Sequence, residues 1–500
     1  MQQGMSIAFV GVFVVGMLVV ALMGYKRTTT LKGFLLGGRA MGPWMSAFAY
    51  GTSYFSAVIF IGYAGKTGWQ LGLPGTWVGV GNAILGSMLA WMVLARPTRR
   101  MTHKFRAGTM PEFFEARYKS RYMKLVSAII IFVFLVPYSA SVYMGLGYLF
   151  QVVFPGLDYN LCMIFIAAVT GLYLVLGGYV ATAMADFVQG IIMLIGIVIM
   201  VVCIVLSPQV GGIGAGAERL AAIDPNLTAV FGGENFGSLI SLVLLTSLGT
   251  WGLPQMVHKF YAIKNDDAIK KGTVISTVFA LVIAASAYFV GAFGRLFYGN
   301  QLPEGGYDAV MPGILDMAFS GSTGGLIIFN IILLLVLSAS MSTLSSVVLT
   351  SSSAVSVDLV KGYIKPDIAK KTSLRLMRIL CLAFVLVSLS IAIMRPAIIM
   401  TLMSFSWGTV SGAFLGPFAW GLYGRFITRT GAWAGMISGA GVSLLLAVLS
   451  GFDAANSPLF GVIAMAAGLI VTPLVSLITK KLPEEHVKAV FAPERDGAEA

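Results

Sequence analysis

Runs of about twenty apolar residues recur thirteen times along the chain, near 5–24, 44–65, 76–95, 123–152, 159–178, 183–206, 237–257, 272–294, 322–356, 376–394, 397–424, 433–450 and 457–479. A helix rises about 1.5 Å per residue, so each run is long enough to cross about 30 Å of hydrocarbon. Lipid offers the backbone no hydrogen-bond partners, which leaves helix as the form such runs take. The pattern therefore predicts an all-α polytopic membrane protein of about 13 transmembrane helices, one membrane unit over residues 1–500. The fourth and ninth runs are long and are expected to tilt or to extend past the lipid. No Lys or Arg occurs in the first five residues, so the first run reads as a retained span rather than a signal peptide.

Composition agrees with this reading. Apolar residues make up 58% of the chain and charged residues 11%, under half the charge of an average soluble domain. The three cysteines, Cys162, Cys203 and Cys381, are scattered through apolar runs and predict neither a disulfide framework nor a metal knuckle. The net charge of +13 could suggest nucleic acid, but its placement argues otherwise. With the N-terminus outside, 29 of the 33 basic residues fall in alternating inside segments. Only Lys66, Arg219, Arg295 and Arg395 fall outside. That asymmetry predicts a multi-pass cell-membrane protein, N-terminus outside and C-terminus cytoplasmic, whose basic face meets anionic lipid. The inside stretch from Met110 to Tyr118 is amphipathic and is expected at the interface. The outside segments 207–236 and 296–321 are expected to form short helices or lids. Walker A, metalloprotease and Cys-x-x-Cys sequences are absent, so neither ATP hydrolysis nor enzyme chemistry is expected.

Two runs are unlike lipid-facing helix. Span 2 reads Ala49-Tyr50-Gly51-Thr52-Ser53-Tyr54-Phe55-Ser56-Ala57, and span 7 reads Leu248-Gly249-Thr250-Trp251-Gly252-Leu253-Pro254-Gln255. They lie five spans apart. Five is odd, so a repeat of that unit must be inverted in the membrane. Paired interrupted spans in inverted halves point to a transport site at the midplane, while either alone would suit glycine-mediated packing. In span 9, Ala339, Ser342, Thr343 and Ser346 share one helix face. Such oxygens suit a hard cation or helix–helix hydrogen bonding. Asp186 is the one carboxylate inside an apolar run. It fits cation coupling or a helix-dipole role near the cytoplasmic start of span 6.

Together with Phe34-Leu35-Leu36-Gly37-Gly38-Arg39, Gly177-Gly178 through Asp186 to Gln189, Ser338 to Ser346 and Gly431-Ala432-Trp433-Ala434-Gly435, these stretches resemble the sodium:solute symporter family. The resemblance runs over most of the chain. It implies a leucine-transporter-like core of two inverted five-helix repeats, 44–206 and 237–424. Residues 1–43 would precede the core; two C-terminal helices, 433–479, and a cytoplasmic tail, 480–500, would follow it. It implies co-transported sodium held by the backbone carbonyls of Thr52, Phe55 and Ala339 and the hydroxyls of Ser342 and Thr343. The likeness to sialic acid carriers adds a possible second sodium at Asp186, Ser342, Ser345 and Ser346. The chain departs from proline carriers in Ser346 itself, in Tyr54, where they have an aspartate, and in Thr246 and Thr250, where they have aromatics.

The expectation is thus sodium-coupled import of a small organic solute by alternating access, such as proline, a carboxylate or a pantothenate-like compound, by a single chain. Proton coupling or an uncoupled facilitator on the same fold is the alternative. Ser53, Tyr54, Ser56, Tyr138, Trp251, Gln255 and Trp407 are expected to line a midplane cavity with no Lys or Arg in it.

Overall fold

The computed structural model describes residues 2–25, 31–154, 156–453 and 455–492. Lys26 and Arg27, counted above as inside charges, and residues 493–500 of the expected tail lie outside these. Among the described residues the chain is helical, with one isolated bridge, Met41 to Ile263, and no strand. Ten helices are long and apolar enough to cross a membrane, and two bent pairs raise the number to twelve. The fifth expected span corresponds to a shorter apolar helix, Tyr159–Leu172. It is divided from span 6 at Gly178, whose φ of 60° and ψ of −172° are open to glycine and strained for other residues. The ring of Phe34 packs where a Cβ at that position would stand.

Both interrupted spans are broken. Span 2 is Pro43–Tyr54 and Val58–Leu71, and span 7 is Gly233–Gly252 and Pro254–Tyr261; each pair bends by 48°. In span 7 the cause is local. Pro254 starts the second half and pushes Leu253 into an extended conformation, φ −78° and ψ 120°. Span 2 has no proline at its break. Phe55 is extended, φ −110° and ψ 127°, and the Ser56 hydroxyl accepts the Val58 N–H at 3.2 Å in place of a helical carbonyl.

Small residues let these elements meet backbone to backbone. A Cβ on Gly291 of span 8 would stand 2.1 Å from the Ala64 carbonyl oxygen of span 2. The first half of span 2 packs against spans 6, 8 and 9, and spans 12 and 13 pack against span 11. Residues 213–223 and 307–319 form the short helices expected between spans.

Two sequence readings change. Met110–Tyr118 is a buried helix, not an interfacial one: Phe113, Phe114, Arg117 and Tyr118 are all inside the fold. Arg117 donates to the carbonyls of Gly421 and Gly424 at 2.8 Å each, so the polar side of this helix is answered by protein rather than by water. Span 9 also runs further than its apolar run, from Thr323 to Ile364, and takes in a second buried carboxylate, Asp358. It accepts from Thr109 at 2.8 Å and lies 3.9 Å from Lys124.

Candidate functional site

The break in span 2 leaves carbonyls that no helix turn uses, and span 9 presents its hydroxyl face to them. The Thr343 hydroxyl lies 3.4 Å from the Thr52 carbonyl oxygen, 3.3 Å from that of Ser53 and 3.4 Å from that of Phe55. One hydroxyl has one proton and can satisfy one of them. Ser342 Oγ lies 2.7 Å from Thr52 Oγ1 and donates to Asp186 Oδ1 at 2.6 Å. Ala339 is buried one turn before Thr343 on the same helix. Thr52, Phe55, Ala339, Ser342 and Thr343 are thus brought together, with Ser53 added to the carbonyl set.

Asp186 is fully buried. Ser346 is joined to it through Lys259, and the Ser345 hydroxyl donates to the Ser342 carbonyl of its own helix at 2.8 Å. A residue missing from the sequence reading stands among them. Its place just after the apolar run 237–257 assigns Lys259 to an inside loop. It lies on the second half of span 7, is 3% exposed, donates to Ser346 Oγ at 2.9 Å and sits 3.6 Å from Asp186 Oδ2. Its ammonium also faces the Tyr179 ring, 5.5 Å from the centroid. Ser346 Oγ is in turn 2.8 Å from Ser53 Oγ. Lys259 thus adds a cation to the group around Asp186, one hydroxyl away from Ser53 of the expected cavity lining. The signal that could have found Lys259 was its position five residues after Pro254, within reach of the break.

The expected substrate residues divide. Tyr54, Tyr138 and Trp407 form one buried aromatic group, with ring centroids of Tyr54 and Trp407 6.2 Å apart and of Tyr138 and Trp407 5.6 Å apart. Tyr54 OH donates to the Thr246 carbonyl at 2.7 Å. Gln255 is buried at the start of the second half of span 7, and neither atom of its amide has a hydrogen-bond partner. An unpartnered buried amide is costly unless something fills the need. Ser53 faces Ser346, and Ser56 accepts the Val58 N–H of its own turn. Trp251 points elsewhere: it is partly buried and donates to the Leu85 carbonyl of span 3 at 2.9 Å.

A broken span carrying free carbonyls, a hydroxyl face opposite and a buried carboxylate beside it form one connected set. The profile of the sodium:solute symporter family matches residues 34–439. This chain belongs to the sodium:solute symporter family. The high-affinity proline transporter of Bacillus subtilis is 30% identical over 487 residues, covering 96% of this chain and 99% of that protein. A sodium/proline symporter of Staphylococcus aureus is 30% identical over 488 residues, covering 95% of this chain and 92% of that one. Among solved structures, a substrate-bound outward-open sodium-coupled sialic acid symporter superposes with a TM-score of 0.79 at 17% identity, over 96% of this chain and 99% of that one. A transporter of the nucleobase-cation-symport-1 family superposes with a TM-score of 0.53 at 14% identity, over 91% and 97%. The chain is a multi-pass membrane protein that couples solute transport to sodium, the ion being cargo rather than a resident group.

Proposed function

We propose that the chain imports a small neutral amino acid, proline or a near relative, with sodium bound at the break in span 2. The observation that carries the sodium position is the set of oxygens around Thr343. Its three distances, 3.3 to 3.4 Å, exceed an ordinary hydroxyl hydrogen bond of about 2.7–2.8 Å. They match the oxygen–oxygen edge of an octahedron, about 3.4 Å, when ligands stand about 2.4 Å from a hard cation. Thr52, Phe55, Ala339, Ser342 and Thr343 would supply the ligands, all neutral, which suits a monovalent ion that must also leave.

The solute would lie between the halves of spans 2 and 7. The aromatic group of Tyr54, Tyr138 and Trp407 would cover its apolar part, and the Gln255 amide would bind a polar end. Amino-terminal ends of half-helices would serve a carboxylate. A carboxylate or pantothenate-like solute fits the same walls; the proline relatives favour an amino acid. Ser53, Ser56 and Trp251 would contribute at the rim as the halves move.

The equal bends of spans 2 and 7 support a core of two inverted repeats, 44–206 and 237–424, within a thirteen-span chain. The two C-terminal helices of 433–479 would follow this core. The distribution of basic residues supports a cell-membrane location with the N-terminus outside and the C-terminus inside. A single chain would be the working unit.

Uptake into proteoliposomes of labelled proline, other neutral amino acids, monocarboxylates, pantothenate and sugars tests this. A sodium gradient should drive proline or a related amino acid, and choline replacement should abolish it. Unchanged uptake in choline would favour proton coupling or an uncoupled facilitator and overturn the proposal.

A further inference from the structure

The group around Asp186 has its own cation. Lys259 Nζ stands 2.9 Å from Ser346 Oγ and 3.6 Å from Asp186 Oδ2, and both side chains are buried. Asp186 Oδ1 is used by Ser342. Asp186 Oδ2 makes no hydrogen bond, and Lys259 is the cationic group in ion-pair range of it. These are largely the donors that the family resemblance assigns to a second sodium: Asp186, Ser342, Ser345 and Ser346.

A carboxylate inside a membrane protein needs a positive partner, because low dielectric makes an unpaired charge costly. A bound sodium is one solution. An ammonium on the chain is another, and it brings the same unit charge to the same two oxygens. The two cannot share the place, since like charges a few ångströms apart in this environment repel strongly. Ser345, the remaining donor, is already turned back to the Ser342 carbonyl. The tether also has a mechanical effect. Lys259 sits on the bent half of span 7, while its partners sit on spans 6 and 9 and, through Ser53, on span 2. His258, next along the half-helix, packs its ring against Tyr179 at 5.5 Å and 78°.

The geometry points to Lys259 as a built-in cation that fills the second sodium position, so that the cycle carries one sodium per solute, bound at the span 2 break. This deepens the sodium-coupled reading and rests on it. The salt link then ties movement of the span 7 half-helix to the sodium ligands through Asp186 and Ser342. Lys259 is a stoichiometry-determining and positioning residue.

The test counts sodium. Radioactive sodium bound to purified protein in detergent, with no solute present, should saturate at one ion per chain for the wild type. Sodium-to-solute flux ratios in proteoliposomes should also be one. Lys259→Met should free the carboxylate for a second ion, giving two bound ions and a steeper dependence of uptake on sodium, with the Hill coefficient moving from near one to near two. The double variant Asp186→Asn, Lys259→Met removes both charges and should return the count to one. Two ions on the wild type, or one on Lys259→Met, would overturn the inference. Should Lys259→Met unfold in low sodium, its thermal midpoint measured against sodium decides. A much steeper rise than in the wild type supports a new site, and a parallel rise overturns it. Failure of the wild type to show sodium-driven uptake would sink the functional reading instead, because the ion count in detergent does not depend on a solute.

Discussion

Thr343 is the residue on which the proposed sodium site turns. Its hydroxyl faces three carbonyls of span 2. Hydrogen bonds and ligand contacts to charged groups contribute about 1.5–3 kcal/mol each. Thr343→Ala should therefore raise the sodium concentration for half-maximal uptake roughly tenfold to a hundredfold, with the fold intact. Thr343→Ser, which keeps the oxygen, should stay close to the wild type. Equal losses in both variants would mean that the residue only packs. The hydroxyl face of span 9 was legible in the sequence because helical spacing alone places Ala339, Ser342, Thr343 and Ser346 together. Lys259 was not. A Lys near an expected span end is assigned to solvent by default, and only a buried carboxylate on a distant span makes its burial affordable. Asp358 escaped for a related reason: the apolar run of span 9 stops before the helix does.

At the scale of elements, the two breaks had different visibility. Pro254 removes a backbone donor and restricts Leu253, so the break in span 7 could be placed almost to the residue. The break in span 2 has no such agent. Glycine and hydroxyl residues permit it, and span 9 and its serines hold it open, the Ala57 N–H donating to Ser340 Oγ at 3.0 Å. The contact between span 2 and span 8 was not legible, because it depends on which glycines meet. Gly291→Ala would place a methyl 2.1 Å from the Ala64 oxygen. Such overpacking costs about 1–3 kcal/mol, and the thermal midpoint in detergent should fall accordingly. Gly11→Ala, where nothing lies within 4 Å, should leave the midpoint unchanged or slightly raised. Equal behaviour of the two would contradict the close approach described here.

At the scale of the whole molecule, Asp308, between spans 8 and 9 on helix 307–319, ties that segment to the start of span 11. It is 3% exposed, and its Oδ2 accepts the Ile399 N–H at 3.1 Å, capping the start of span 11. Burial pushes its carboxyl up to about 6, against lesser lowering effects from that hydrogen bond and from Lys66. An ordinary carboxyl titrates near 4. Between these values the folded protein holds a proton that the unfolded chain has lost, so this group's contribution to stability falls as pH rises through the window and stays low above it. Asp308→Asn keeps an oxygen for Ile399 and removes the titration. Its stability relative to the wild type, followed by the thermal midpoint, should improve from pH 4 to pH 7, by at most about 3 kcal/mol. Parallel curves for the two proteins would show that Asp308 is not desolvated as described.

The sequence alone determined that the chain is helical and membrane-spanning, because lipid forces apolar runs of this length into helix. Its motifs and spacing also pointed to the family, and the proline and glycine pattern located the interruptions. What the tertiary structure decided was which polar groups meet. Periodicity fixes the face a residue occupies on its own helix, but not the distant element that face touches. Thr343 found the carbonyls of span 2, Trp251 turned away to span 3, Met110–Tyr118 went inside because Gly421 and Gly424 answer Arg117, and Lys259 came to Asp186. Each of these depends on distances between segments far apart in sequence, and the cost of burying an unpaired charge or amide decides them only once the packing is known.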